Sequence, residues 1–138
     1  MPEADKYFDP LRRKWVAATP EERVRQWFIG ILAEKAGVPV HMMMSEVPMN
    51  YGLKKWRADI VVWSPGGNAL GIVECKRPDI PIDASVAAQA LRYHAVGKAG
   101  FIFLTNGTDT HVFKRDGEGF KTLNRLPTYT EMKEQCRQ

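Results

Sequence analysis

A mixed β-sheet flanked by helices, an α/β (α+β) sandwich, is the fold class the sequence predicts. Three observations predict it. The elements read helix, three strands, helix, then two or three strands, which is an αβββαβ core. The run Ala99 to Thr105 is continuously apolar, as expected of a strand covered on both faces. Two further apolar runs flank a Ser-Pro-Gly-Gly-Asn break at 64–68, the signal of adjacent strands joined by a tight connection.

At 138 residues, 44% hydrophobic and 26% charged, the chain is expected to form one domain with its own core. It carries no repeat or low-complexity tract, and no apolar run approaches the roughly 18 residues of a membrane span. The polar opening Met-Pro-Glu-Ala-Asp-Lys does not read as a secretory signal. Cys75 and Cys136 give no disulfide framework, zinc spacing or CxxC motif, so a reducing cytoplasmic setting is expected. The net charge of +4 permits a polyanionic partner without requiring one. Arg12-Arg13-Lys14, Lys54-Lys55-Arg57 and Lys114-Arg115 each read as solvated surface unless they surround an anion-binding site.

Along the chain, residues 1–18 are expected to be an irregular arm, 19–127 the core and 128–138 a C-terminal helix or tail. Thr19 caps the first helix, with Pro20 at its first position and Glu22 completing a capping box. Val24, Trp27, Phe28, Ile31 and Leu32 follow at helical spacing, and Gly37 ends the element. At about 100° per residue, Glu21 lies at the border of this apolar stripe and Glu22 opposite it. Glu21 therefore has the better direction toward a site beside the sheet, although both acids read equally well as first-turn support for the helix dipole. Val40 to Met49 reads as a strand whose Met run is packing, with His41 exposed or hydrogen-bonded. Asn50-Tyr51-Gly52 marks a turn. Pro78 and Pro81 exclude regular helix after the hairpin. Asp83 caps a second helix running to about Gly97, on which Gln89 and Tyr93 share a face. Thr110 to Lys114 follows as a strand, and Thr128 or Thr130 caps the last helix.

The stretch Arg57 to Lys76 carries the chemistry. Asp59 opens its first apolar run, while Glu74 and Lys76 close the second. Glu74 and Lys76 point to one face of a strand and Cys75 to the other. Antiparallel pairing around the turn can bring Asp59 opposite Glu74. Two carboxylates and a lysine on a sheet face are costly unless they bind something. Their hard oxygens suit Mg²⁺ or Mn²⁺ better than zinc, and a lysine beside them fits attack on a phosphodiester. On spacing alone, a metal site and a structural salt bridge stand equally open.

Asp59 followed by Glu74-Cys75-Lys76 resembles the PD-(D/E)XK nuclease signature, and Gln89-x-x-x-Tyr93 resembles the QxxxY motif of its RecB-like branch. The wider pattern is similar to the N-terminal nuclease domain of type I restriction enzyme R subunits. The matching pieces are Thr19 to Gln26, Ala58 to Val62, Ile72 to Pro78, Gln89 to Tyr93 and Leu104 to Gly107, in the family's order. The resemblance implies a restriction endonuclease-like fold and a Mg²⁺-dependent DNA endonuclease, with Mn²⁺ as a substitute. It makes Asp59 and Glu74 metal ligands, with help from the Cys75 backbone carbonyl and an acid from the first helix, Glu21 or Glu22. Lys76 is then catalytic, with Gln89 and Tyr93 beside the site contacting DNA or buttressing it. Arg77 and Lys55 join them as DNA-binding or site-supporting residues. DNA, restriction-modification or motor subunits and a second copy of the chain are the partners this admits. Ala58 stands where the family has proline, a position without a chemical role. Nothing matches G-x-x-x-x-G-K-[ST], since the Gly66-Gly67 turn lacks the lysine, so no motor is expected within the chain. It reads as either a stand-alone protein or an excised domain. A non-cleaving DNA-binding or assembly module, and a nuclease acting on RNA or junctions, are the competing functions.

Overall fold

The structure, a computed structural model, describes residues 5–52 and 54–137. The polar opening at 1–4 lies outside the described residues, as does the side chain of Lys54 in the second basic cluster. Helix α1 spans Pro20–Glu34, and the Thr19 hydroxyl accepts the Glu22 N–H at its start. Three strands follow: β3 (Met43–Tyr51), β4 (Lys54–Trp63) and β5 (Ala69–Cys75). Helix α2 (Ala84–His94) crosses over to β6 (Phe101–Thr105). Strands β7 (Thr110–Asp116) and β8 (Gly119–Leu123) and helix α3 (Tyr129–Arg137) complete the fold.

The central sheet runs β3-β4-β5-β6-β7-β8. Only β5 and β6 pair in parallel, because only they are joined by a helical crossover; the other neighbours are antiparallel. The β4–β5 hairpin turns through Ser64 to Asn68, with the Ser64 carbonyl accepting the Gly67 N–H at 3.0 Å. Gly67 has φ +88°, a left-handed backbone that disfavours any residue with a Cβ.

Helices α1 and α3 cover one face of the sheet and α2 the other. Val24, Phe28 and Leu32 of α1 pack with Val73 and Phe103 of the sheet, joined by Tyr129 and Met132 of α3. Opposite them, Ala90 of α2 packs with Ala58, Val61, Ile72, Ile102 and Leu104. Strand β6 is buried throughout, which its unbroken apolar run predicts.

Four local readings need correction. Residues 1–18 were expected to be irregular, yet strands β1 (Lys6–Asp9) and β2 (Lys14–Ala17) form an antiparallel hairpin. Its turn is set by the Asp9 carboxylate, which accepts the Leu11 N–H at 2.8 Å, and Val16 is buried beneath it. Four-residue strands are too short to show a period in sequence. Asn50 and Tyr51 continue β3 opposite Lys55 and Lys54, so the turn falls at Gly52. Residues Val40–Met42 form a 3₁₀ turn before β3 begins, and α2 ends at His94 rather than near Gly97.

Candidate active site

The β4–β5 register places the stretch Arg57 to Lys76 as a hairpin. Ile60 pairs with Val73, so the next residues outward, Asp59 and Glu74, fall across from each other. On the other side, Ser45 pairs with Ile60 and Val47 with Ala58, which sets Glu46 against Asp59. Glu46, Asp59 and Glu74 thus lie in one row across three strands. The pleat is interrupted there. Ala58 packs in the α2-side core and Ile60 in the α1-side core, and Glu46 has a left-handed backbone at φ +54°. A local irregularity of this kind re-aims side chains where regular alternation would bury them.

Asp59 is the most constrained of the three. Its Oδ2 accepts the Cys75 N–H at 2.7 Å, and its Oδ1 lies 3.7 Å from Arg25 Nη2. Burial raises its pKa above the usual carboxylate range. The Cys75 N–H and the Arg25 charge oppose that rise, while the charges of Glu74 and Glu21 add to it. Glu74 faces α2, where its Oε2 lies 3.2 Å from His94 Nε2. Cys75 turns its side chain into the α1-side core, and burial there pushes its thiol pKa far up, so it stays a neutral thiol. The Lys76 backbone N–H donates to the Thr105 carbonyl at 2.8 Å, which anchors the end of β5. Among the described residues no hydrogen bond or ion pair engages the Lys76 ammonium.

An arginine network closes the row on the α1 side. Arg12 donates to Asp9, to Glu22 at 2.7 Å and to Glu46 at 2.9 Å. Arg25 donates to Glu46 at 3.2 Å and faces Glu22 at 3.6 Å. Arg25 Nε is buried without a hydrogen-bond acceptor among the described residues, so its hold on Glu22 is mainly charge. No group of three or more His, Cys, Asp or Glu side chains among the described residues is arranged to hold a metal ion.

A family model described as type I restriction enzyme R protein N terminus (HSDR_N) matches residues 20–127. The chain belongs to that family. Among curated proteins, none matches it. Two solved structures share its fold. One is a fragment provisionally assigned as the HsdR subunit of a type I restriction enzyme from Vibrio vulnificus YJ016, with TM-score 0.62 and 18% identity over 85% of this chain. This chain spans 25% of that one. The other is a protein from Anabaena variabilis ATCC 29413, provisionally assigned as a nuclease of the DUF820 group. It has TM-score 0.55 and 10% identity, with 94% of this chain and 84% of that one covered. The HSDR_N chain therefore has the restriction endonuclease-like fold its motifs imply.

The structure gathers Asp59, Glu74, Cys75 and Lys76 at one end of the β4–β5 pair. Glu21 and Glu22 divide differently from the helical-wheel reading. Glu22 is buried rather than opposite the packed face, because Arg12 and Arg25 neutralise it there. Glu21 is exposed, and its charge is felt at Asp59. Gln89 and Tyr93 line a cleft of about 370 Å³ with Tyr51, Arg92 and Val96, a lining that includes neither Asp59 nor Glu74. Arg77 is exposed and paired with Asp79 at 3.2 Å, and Lys55 is an exposed residue of β4. A cavity of about 780 Å³ lies toward the other end of β5, by Gly67 to Leu70, and none of the predicted site residues lines it.

Sequence reading missed Arg12, Arg25, Glu46 and His94. His94 had a signal: it stands four residues after Ala90 on the buried stripe of α2. Glu46 had none, since its place beside Asp59 depends on the β3–β4 register.

Proposed function

We propose that the chain is a metal-dependent DNA endonuclease acting within a restriction system. The observation that carries this reading is the row of Asp59 and Glu74 with the uncommitted Lys76 at the end of the same strand. Membership of the HSDR_N family supports it.

The donor set fits a hard divalent cation. Asp59 is ionised at a cost, which a cation at its carboxylate would relieve. Magnesium keeps most of its waters and takes one or two protein carboxylates, so two suffice. Asp59, Glu74 and the Cys75 carbonyl would hold it. When bound, the cation supplies positive charge against the phosphate and lowers the pKa of water at the site. The chain's own residues do the rest. Lys76 orients the attacking water or donates to the phosphate oxygens as negative charge builds on them. Glu21 adds negative potential at Asp59 and so strengthens its pull on a cation. Gln89, Arg92 and Tyr93 present polar and aromatic groups to DNA along α2.

One observation favours a second reading, a non-cleaving DNA-binding or assembly module: both Asp59 oxygens already have partners in Cys75 N–H and Arg25. Incubation of plasmid and single-stranded DNA with Mg²⁺, Mn²⁺ or EDTA separates the two. Metal-dependent cleavage that Lys76→Ala reduces by about 100-fold or more is expected, the scale of losing one transition-state donor. Cleavage indifferent to Lys76→Ala would remove the site assignment, and tight DNA binding without cleavage would establish the second reading. Partners delivering the DNA and a cytoplasmic setting belong to the same proposal. No helix among the described residues is long and apolar enough to cross a membrane.

A further inference from the structure

His94 is the most deeply buried titratable side chain on the α2 face of the sheet, only 1% exposed, and both of its ring nitrogens have partners. Nε2 lies 3.2 Å from Glu74 Oε2, and Nδ1 lies 3.2 Å from the Tyr51 hydroxyl. The ring is wedged edge-on against Trp56, with centroids 4.6 Å apart, and against Tyr51 at 6.0 Å. Tyr51 is itself confined. A Cβ at Gly97 would come within 2.9 Å of its hydroxyl, so glycine there leaves the room Tyr51 needs.

We infer that His94 is a positioning residue for the cation site: it donates Nε2–H to Glu74 and so fixes the carboxylate of the residue paired across from Asp59. This rests on the nuclease reading of the row. The proton placement follows from the partners. An ionised carboxylate only accepts, so Nε2 carries the hydrogen, whereas the Tyr51 hydroxyl can donate and therefore serves Nδ1. The bond occupies Oε2 alone, and no bond among the described residues engages Glu74 Oε1, which remains to meet a ligand. Fixing a ligand through a buried hydrogen bond is the arrangement whose loss typically costs metal sites about 10–100-fold in affinity.

The test compares His94→Phe, His94→Gln and Tyr51→Phe with the wild type, using Mn²⁺ titration followed by its electron paramagnetic resonance signal. It also uses ¹⁵N spectra of the imidazole and a KM-against-kcat split in cleavage. Glutamine places an amide N–H near the Nε2 position, whereas phenylalanine keeps ring volume without a donor. His94→Phe is expected to weaken Mn²⁺ binding by about 10–100-fold and to lower kcat with little change in the KM for DNA. His94→Gln is expected to stay within a few-fold of wild type. Unchanged Mn²⁺ affinity in His94→Phe overturns the inference, as does His94→Gln as weak as His94→Phe, which would reduce His94 to packing. Should His94→Phe fail to fold, the imidazole spectra decide. A proton on Nε2 in the wild type, with Nδ1–H gaining population in Tyr51→Phe, is expected, and an unprotonated Nε2 overturns it. If the wild type binds no Mn²⁺, the nuclease reading falls, while the spectra still show whether His94 donates to Glu74.

Discussion

At the scale of single residues, Asp59 is governed by opposing electrostatic effects. Burial raises its pKa most, Glu74 and Glu21 raise it further, and the Cys75 N–H and Arg25 hold it down. A carboxylate must be ionised to ligate a cation. Arg25→Gln removes one of the two groups that favour the ionised form, so the acid limb of the pH–rate profile should move to higher pH. A limb that stays in place or moves down would show that Arg25 does not act on Asp59. The same shift has a sign for stability. Because the folded-state pKa is raised, the stabilising effect of neutral Asp59 is fully present below the unfolded pKa and is lost as pH rises through the folded one. Asp59→Asn should therefore gain on the wild type in thermal melts as pH rises above the ordinary aspartate value of about 4. It should lose about 100-fold or more in cleavage over the same range.

Part of this was legible in the sequence. Asp59 and Glu74 announce themselves because charges at the ends of apolar runs are costly, and the turn between them sets their pairing. The groups that tune them lie on other elements. Arg25 sits on α1 and His94 on α2, and only the packing of those helices on the sheet brings them to the row.

At the scale of elements, the charged link between the N-terminal hairpin and the core runs through Arg12, beside the packing of Leu11 and Val16. Asp9 is fully buried, and burial alone would raise its pKa. The Arg12 hydrogen bond, the backbone N–H groups of Leu11 and Arg12 and the Arg12 charge outweigh that, so its pKa is lowered. Arg12 also carries Glu22 and Glu46, linking β1–β2 to α1 and β3. Arg12→Ala leaves the buried Asp9 carboxylate without its cation and Glu22 with only Arg25 and Gln26, and should cost about 3 kcal/mol in urea unfolding, the low end for breaking a buried ion pair. Adding Glu22→Gln should return part of that loss, because it removes a buried charge whose nearest cation is gone. A loss no larger than that of an exposed pair would mean that the hairpin is held by the packing of Leu11 and Val16 and by the Arg23–Tyr7 hydrogen bond rather than by Arg12. Helices α1 and α2 were legible from their caps and apolar spacing, since Thr19 and Asp83 accept the N–H groups such caps predict. The hairpin was not, because what fixes it is Arg12 reaching across the fold rather than a local period.

At the scale of the whole molecule, one chain offers one row of site residues, whereas the strands of a duplex run in opposite directions. A single row can present itself correctly to one strand at a time. Cutting both strands needs either two chains related by a two-fold axis or two separate binding events. At low protein concentration, supercoiled plasmid should therefore convert first to the nicked circle, with linear product appearing later. If a second copy joins on DNA, linear product should rise more steeply than nicked product as protein is increased. Direct conversion to linear DNA with no nicked species, at protein too dilute to pair, would refute one row acting per strand. Phosphate contacts made by a chain of net charge +4 should also leave a salt signature. Nicking below saturating protein should fall steeply between about 50 and 200 mM salt, since each neutralised phosphate releases counterions on binding. If the proposed chemistry takes place at the row itself, the same salt series at saturating protein should change the rate far less. A loss that persists at saturation would place the salt effect on the row itself rather than on capture of the duplex.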